Sequence, residues 1–169
     1  MAAPSLNTLA DKYAADDVGS IFLYTNEAHP GENFPHHTSM EQKFRHAEAL
    51  RDQLGVSRQI LVDALDGACH RAYGSMPNMT WILNRTGTVL YKSDWTDAES
   101  VDNALAYFVD VAKRRKDRER LVPFRVERLD YRNADRLAFF NGLKLSGPKA
   151  VQEFIDAFGP PPDGFTMDE

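Results

Sequence analysis

The spacing of apolar and polar residues over the first two thirds of the chain predicts helices and strands that alternate. Apolar residues at steps of three and four predict helices over 3–15, 39–54 and 97–120. Runs rich in β-branched and aromatic residues predict strands over 18–24, 59–65, 79–83 and 88–92, with a short helical turn near 67–73. The 18–24 run is apolar nearly throughout, which is typical of a strand buried on both faces of a parallel sheet. Asn-Arg-Thr-Gly at 84–87 is a strong hairpin signal, so the predicted order is αβαβ(α)ββα.

The helix over 39–54 has residues suited to both of its ends. Ser39 followed by Gln42 makes a capping box, and Gly55 suits the left-handed conformation that ends many helices. His46 lies among polar neighbours and is predicted to be on the surface. The predicted core-facing side of this helix consists of Phe44, Ala47, Leu50 and Leu54.

Composition limits the size and the partners of the protein. A chain of 169 residues fits one domain, or one domain with a helical appendage. Its formal net charge of −5 argues against a general nucleic-acid binder, and the basic segment at 113–120 is interpreted as a solvated helix end. No run approaches the roughly 20 apolar residues that cross a bilayer, and 1–17 lacks the features of a signal peptide. We therefore expect a cytoplasmic protein that binds neither nucleic acid nor membrane.

The last third of the chain is predicted to be a helical extension. Helical stretches are expected near 133–142 and 148–158, before a tail rich in proline, glycine and acidic residues that is expected to be frayed. We divide the chain into a first domain over 1–120 and a C-terminal helical extension with a flexible tail over 121–169.

The single cysteine, Cys69, excludes an intramolecular disulfide and a CxxC dithiol. Two interpretations of it stay open. Cys69 is either a reactive thiol influenced by the adjacent His70, and so a candidate catalytic residue, or a small buried residue on a short helix.

A metal site is not predicted, and no cofactor is expected. Three histidines and two glutamates, which are metal-ligating residue types, crowd one loop: Glu27, His29, Glu32, His36 and His37. They lack a helical pair spaced by four residues, and the sequence shows no second, distant group of ligands. A solvated loop with one functional histidine is the preferred interpretation.

Three segments resemble a known family. An apolar strand runs into Glu-Ala-His-Pro at 27–30, residues 73–77 read Tyr-Gly-Ser-Met-Pro, and 87–92 read Gly-Thr-Val-Leu-Tyr-Lys. In this order and spacing they resemble the thioredoxin-like redoxins, a peroxiredoxin-like family related to the iodothyronine deiodinases. The resemblance covers residues 1–112 and implies an α/β, thioredoxin-like fold, in which a mixed sheet has flanking helices.

The resemblance also implies a redox site. In the family, a glutamate and a histidine at the positions of Glu27 and His29 lie beside a catalytic cysteine or selenocysteine. The proline at the position of Pro77 is a cis-proline that faces this nucleophile, so Met76 and Pro77 are expected to line the substrate groove. The implied function is thiol- or selenol-dependent redox chemistry on a small-molecule or disulfide substrate, by a peroxidase, a disulfide reductase or a deiodinase-like enzyme.

The sequence departs from the family at its beginning. The family's first core strand and the nucleophile at its end have no counterpart here, so we expect an N-terminally truncated fold with a gap in its sheet between 18–24 and 79–83. Three explanations stay open: a start codon assigned at an internal Met, an upstream selenocysteine codon taken for a stop, or a non-catalytic form. In the last, a second copy or a partner chain supplies the strand, and the protein is an interaction or structural subunit.

Overall fold

The computed structural model describes residues 3–74, 76–120 and 135–167, and these form a mixed α/β fold with small sheets and flanking helices. The strands are β1 (Ile21–Tyr24), β2 (Gln59–Val62), β3 (Thr80–Leu83) and β4 (Val89–Ser93). The helices are α1 (Ala3–Tyr13), α2 (Met40–Leu54), α3 (Ala68–Tyr73), α4 (Ala98–Lys116), α5 (Arg136–Lys144) and α6 (Pro148–Phe158). The order of elements predicted for the first two thirds of the chain, αβαβ(α)ββα, is confirmed.

The ends of α2 are fixed by the residues that the sequence indicates. Ser39 Oγ accepts a hydrogen bond from the backbone N–H of Gln42, at 3.2 Å. The Gln42 side chain accepts in return from the backbone N–H of Thr38, at 2.8 Å. Gly55 ends the helix in the left-handed conformation, with φ of 63°, which glycine adopts without steric cost.

The four strands form two separate sheets. β1 and β2 pair in parallel, with Ile21 opposite Gln59 and Tyr24 opposite Val62. β3 and β4 pair as an antiparallel hairpin. Among the described residues, no hydrogen-bonded ladder joins β1 to β3. β1 and β3 therefore belong to separate sheets, which agrees with the predicted gap between them.

The strands carry more exposed apolar surface than the sequence predicts. The expectation that the first strand is buried on both faces is wrong, because Ile21 is 56% exposed and of the four β1 residues only Tyr24 is fully buried. Leu61 of β2 is 43% exposed and Val89 of β4 is 50% exposed. A pair of strands without further neighbours cannot bury both of its faces and both of its edges.

The main apolar core lies between α1 and α4. Its buried residues are Leu9, Tyr13, Val101 and Leu105, with Ile82 and Tyr91 of the hairpin packed against them. Two polar contacts at the rim join the same helices. Lys12 Nζ lies 2.7 Å from Asp102 Oδ1, and the Tyr13 hydroxyl donates to the same carboxylate at 2.5 Å. This core holds α1 against α4 and one side of the β3–β4 hairpin.

A second core forms the C-terminal part of the chain. α5 and α6 bury Phe140, Leu143, Ala150 and Val151, and Phe165 of the tail packs on Phe140 with ring centroids 5.1 Å apart. The helix predicted over 148–158 is α6, which has these bounds in the structure. The helix predicted near 133–142 is α5, which begins at Arg136. Residues 133 and 134 of that prediction lie outside the described residues.

The α5–α6 pair packs on the loop that follows β1. Asn33 donates from its backbone N–H to Ser146 O and from its side-chain amide to Leu145 O, both at 3.1 Å. Glu32 accepts from the backbone N–H of Lys149 at 3.2 Å. A Cβ on Gly31 would overlap the Ser146 carbonyl, so glycine is needed at this close approach. In the described ranges, no helix has the length and apolar character needed to cross a membrane.

Candidate functional site

Polar side chains gather at the carboxyl ends of β1 and β2, where parallel strands commonly present functional groups. Tyr24 is the last residue of β1, and its carbonyl accepts from the backbone N–H of Asp63, just past β2, at 2.9 Å. Glu27 follows in the loop three residues after Tyr24, and its carboxylate accepts a hydrogen bond from the Tyr24 hydroxyl. Two strand ends and one loop therefore meet at one edge.

Glu27, His37 and His46 form a compact cluster at this edge. His37 Nε2 lies 3.2 Å from His46 Nδ1, and His46 Nδ1 lies 3.5 Å from Glu27 Oε1. The Tyr24 hydroxyl oxygen lies 2.9 Å from His37 Nε2. One ligand atom from each of the three residues lies within 4.8 Å of the other two. Residues from a strand end, a loop and a helix thus converge on one point.

The cluster depends on the rotation of α2, which differs from the prediction. Phe44, predicted to face the core, is 51% exposed, and the buried residues of α2 are Lys43, His46 and Ala47. The prediction that His46 lies on the surface is wrong, because only 8% of it is exposed. Specific polar partners outweigh the apolar stripe here: Lys43 Nζ donates to Ala64 O at 3.0 Å, and His46 meets Glu27 and His37.

Asp63 organises the neighbouring segment. Its carboxylate accepts from the backbone N–H groups of Cys69, at 3.0 Å, and His70, at 2.9 Å. Burial by itself raises the pKa of Asp63, but these backbone donors and the nearby Lys43 ammonium outweigh it and leave the pKa below its usual value. Asp63 is therefore an ionised, hydrogen-bonded anchor for the start of α3.

The electrostatics of the cluster are set mainly by burial. Burial raises the pKa of the Glu27 carboxyl, although the Tyr24 hydrogen bond and His46 act in the opposite direction. Burial likewise raises the pKa of the Tyr24 hydroxyl, so it stays protonated. Burial, together with the neighbouring cationic groups, lowers the pKa of His37 to about 4. His37 is thus a neutral imidazole near pH 7, with a lone pair on one ring nitrogen.

A cavity of about 310 Å³ opens beside the cluster, and we call it the edge cavity. Its walls include Glu27, His36, His37, Lys43, His70 and Arg71. Its volume is at the lower end of the range of small-molecule sites. The edge cavity is polar and carries both acidic and basic groups, so it suits a small polar ligand better than an apolar one.

The structure does not bring the two expected catalytic residues into one cavity. Glu27 lines the edge cavity, whereas His29 lines a separate hollow of about 210 Å³ beside α6. The His29 ring packs edge-on against Phe154 and Phe139, with centroids 5.3 Å and 6.0 Å away. Burial lowers the pKa of His29. His29 therefore sits in an aromatic environment, apart from the Glu27 carboxylate.

The expected cis bond between Met76 and Pro77 is not present. No peptide bond among the described residues is cis, so the Met76–Pro77 bond is trans and the prediction is wrong. The trans isomer of such a bond is favoured by about 0.5–1 kcal/mol unless the surroundings enforce the cis form. Here the Met76 carbonyl is engaged by the His70 ring, whose Nε2 donates to it at 3.0 Å. Met76 and Pro77 are both exposed, and neither lines the edge cavity or the hollow beside α6.

Cys69 lies in the first turn of α3 and is partly buried. The backbone N–H of Cys69 donates a hydrogen bond to the Asp63 carboxylate. In the adjacent His70, ring atom Nε2 is hydrogen-bonded to the Met76 carbonyl. Both interpretations of Cys69 therefore stay open, and the described contacts give its thiol no catalytic partner.

Comparison with known proteins identifies no relative of this chain. No protein-family model, no curated protein and no solved structure matches this chain. The functional conclusion therefore rests on the geometry of the site and on the three segments that carry the resemblance.

Several residues of the site could not be identified from the sequence. The sequence places His37 in a loop interpreted as solvated and His46 on the surface, and it does not single out Tyr24, Lys43 or Asp63. One signal was present: Lys43, His46 and Ala47 follow the helical spacing of three and four, so two polar residues share one face of α2.

Proposed function

We propose that this protein is a thioredoxin-like redox protein whose nucleophile is carried on a strand that lies between β1 and β3. The observation that carries the proposal is the break in the sheet at this place. β1 and β3 each pair with one neighbour only, so each has a second edge whose backbone N–H and C=O groups can pair with an added strand. The exposed Ile21 and Leu61 offer apolar surface on the same small sheet.

The order of elements supports a strand that directly precedes α1. A strand followed by α1 and then by β1 would form a βαβ unit, in which the two strands are parallel and lie side by side. The carboxyl end of the added strand would then meet the carboxyl end of β1, next to Glu27 and the edge cavity. A cysteine or selenocysteine there would also lie at the N-terminus of α1, which favours the thiolate or selenolate.

The chemistry would be attack by this nucleophile on a small disulfide or peroxide in the edge cavity. With a disulfide, the thiolate forms a bond to one sulfur and the other sulfur leaves as a thiolate. Glu27 is the better placed of the two expected residues, because it lines the edge cavity while His29 packs under α6. Its raised pKa suits it to hold a proton for the leaving group.

A second candidate is a non-catalytic subunit whose sheet is completed by a partner. Two observations favour it: the trans Met76–Pro77 bond and the aromatic packing of His29 both depart from the geometry that the redox resemblance implies. In this case the break between β1 and β3 is a binding surface only, and no nucleophile enters it.

Adding a strand to the chain tests the two candidates. The variant carries a five-residue apolar strand and the sequence Thr-Cys-Pro-Met fused ahead of Ala3. Its matched control carries Thr-Ser-Pro-Met. We expect the cysteine form to reduce a small disulfide or peroxide in a thiol-coupled assay and the serine form to show no turnover. Glu27→Gln in the cysteine form should lower turnover about 10²-fold, and His29→Gln much less.

The outcomes separate the candidates clearly. Turnover that depends on the fused cysteine and on Glu27 supports the redox proposal. A fused strand that stabilises the chain but gives no turnover overturns it and favours the non-catalytic subunit. Turnover by the serine form would show that the fused cysteine is not the nucleophile.

A further inference from the structure

The Glu27, His37 and His46 cluster carries an inference that does not need the proposed strand. When a metal ion is bound, Glu27 acts as an ionised ligand and no longer holds a proton for a leaving group. The three side chains of the cluster come from the loop after β1 and from α2, all within the described residues. Two imidazoles and one carboxylate are a common ligand set of mononuclear zinc sites with an open position.

The distances within the cluster match a tetrahedral metal site. Zinc–nitrogen and zinc–oxygen bonds of about 2.0–2.1 Å place neighbouring ligand atoms of a tetrahedron about 3.3–3.4 Å apart. Here His37 Nε2 and His46 Nδ1 are 3.2 Å apart, and His46 Nδ1 and Glu27 Oε1 are 3.5 Å apart. Two edges of the tetrahedron are therefore already present. The third pair of ligand atoms, one from Glu27 and one from His37, lies within 4.8 Å.

In the described structure, hydrogen bonds and short polar contacts already join the side chains of this cluster. The Tyr24 hydroxyl has one proton, and the contact with Glu27 uses it. His37 Nε2 then faces two atoms at short range, the Tyr24 oxygen at 2.9 Å and His46 Nδ1 at 3.2 Å. Without a metal, an N–H at His37 Nε2 can donate to the Tyr24 oxygen, with His46 Nδ1 as a second acceptor. A cation at the centre would replace these contacts, because it accepts lone pairs from both imidazoles and from the carboxylate.

The surroundings resemble those of metal sites in proteins. The Tyr24 hydroxyl holds the Glu27 carboxylate in place, as groups that support metal ligands do. His46 is buried, and the Phe34 ring packs edge-on against it at 5.0 Å. Lys43 is buried on the same face of α2, but its ammonium is held by the Ala64 carbonyl.

We propose that Glu27, His37 and His46 bind a divalent transition-metal ion of the zinc class through Glu27 Oε1, His37 Nε2 and His46 Nδ1. Two imidazole ligands favour zinc over the oxygen-preferring Mg²⁺ and Ca²⁺. Because Glu27 and His37 also line the edge cavity, the fourth coordination position opens toward it and takes water or a small anionic ligand.

The test is a titration of the purified chain with Zn²⁺, after treatment with a chelator, followed by calorimetry. We expect one Zn²⁺ per chain, with Mg²⁺ not binding at the same concentration. His37→Ala should weaken Zn²⁺ binding at least about 100-fold, and Tyr24→Phe about 10-fold, as loss of a supporting group does. The matched control is His36→Ala, which removes a neighbouring histidine of the same cavity and should change the affinity less than about 3-fold.

Substitution of the buried His46 is avoided, because that variant can fail to fold. Circular dichroism verifies that the His37→Ala chain is folded, and the Co²⁺ complex of the unmodified chain gives a readout that needs no variant. We expect the strong visible absorption of four-coordinate Co²⁺. The proposal is overturned if the unmodified chain binds no Zn²⁺, if His37→Ala binds as tightly, or if His36→Ala weakens binding as much as His37→Ala.

Discussion

The loop between β1 and α2 has two sides of opposite character. Glu27 and His37 face the polar edge cavity, whereas His29, between them in the sequence, packs against Phe139 and Phe154. Residues two positions apart therefore have different neighbours and different chemistry. The α5–α6 pair produces this division, because it occupies the side of the loop on which His29 lies.

The two sides are held together by different forces. The aromatic side depends on burial of apolar surface, which is strong and non-directional. The polar side depends on matched donors and acceptors around Glu27, Asp63 and Lys43, and a buried polar group without a partner costs about 1–3 kcal/mol. The aromatic side should therefore tolerate changes of polarity poorly, and the polar side should tolerate loss of a single partner poorly.

The largest expected effect is on the aromatic side. Phe140 has no exposed surface and lies at the centre of the α5–α6 core. Phe140→Ala should lower the free energy of unfolding of this region by about 3–5 kcal/mol, because it leaves a cavity. Urea unfolding, monitored by hydrogen exchange of the α5 and α6 amides, measures this loss of stability. Phe158→Ala is the control: Phe158 is 67% exposed, and an equal loss there would contradict the account of this core.

The next effect concerns Asp63 on the polar side. Asp63→Asn leaves one acceptor oxygen for two backbone N–H groups, so it should cost about 1–3 kcal/mol at pH 7. Folding lowers the pKa of Asp63, so the ionised carboxylate stabilises the fold at any pH above the pKa of Asp63 in the unfolded chain. This contribution is lost as the pH falls through the pKa of Asp63 in the folded chain. The cost of the substitution should thus shrink below about pH 4.

Urea unfolding of the unmodified chain and of the Asp63→Asn variant, between pH 3 and 7, measures how the cost of the substitution changes with pH. Asp52→Asn serves as the control, since Asp52 pairs with Arg51 on the exposed surface of α2, where water and salt screen the pair and its loss should change stability little. A cost of Asp63→Asn that stays the same at every pH would show that Asp63 does not act as an ionised anchor.

A smaller effect distinguishes the environment of His29. Burial lowers its pKa, so His29 should titrate below 6.5, and the fold should lose stability as the pH falls through this range. Phe154→Ala should return the pKa of His29 toward its ordinary value, as followed by NMR of the imidazole. Phe165→Ala, which removes a ring that packs on Phe140, should leave that pKa unchanged. An ordinary His29 pKa in the unmodified chain would contradict the packing described for it.

The smallest effect tests the rotation of α2. Phe44→Gln should change stability by at most about 1 kcal/mol, because half of the Phe44 side chain is exposed. Ala47→Gln should cost about 1–3 kcal/mol, since Ala47 is buried and the larger side chain does not fit. Thermal unfolding of the two variants measures both costs. A cost of Phe44→Gln as large as that of Ala47→Gln would restore the apolar face that the sequence predicts.

Local signals in the sequence predicted much of the fold. The cap formed by Ser39 and Gln42, the end of α2 at Gly55 and the turn between β3 and β4 depend on neighbouring residues, so they are visible in the sequence. The break between β1 and β3 came from the resemblance, because no local pattern reports which strands pair.

The rest could not be predicted, because it depends on contacts distant in sequence. The rotation of α2 is set by Ala64, Glu27 and His37, which an apolar stripe does not reveal. The position of His29 is set by α6, more than a hundred residues later. The bond before Pro77 is trans, the isomer favoured by default, and the sequence alone does not report the contacts that would enforce the cis form.

Hydrogen exchange at the β1 and β3 amides tests the central claim most directly, namely that the break between these strands accepts a further strand. In the chain by itself, amides of β1 that pair with β2 should be protected, and those that face the break should exchange rapidly. Fusion of the added strand ahead of Ala3 should protect these rapidly exchanging amides. Equal protection of all β1 amides in the chain by itself, or no gain of protection on fusion, would contradict the account.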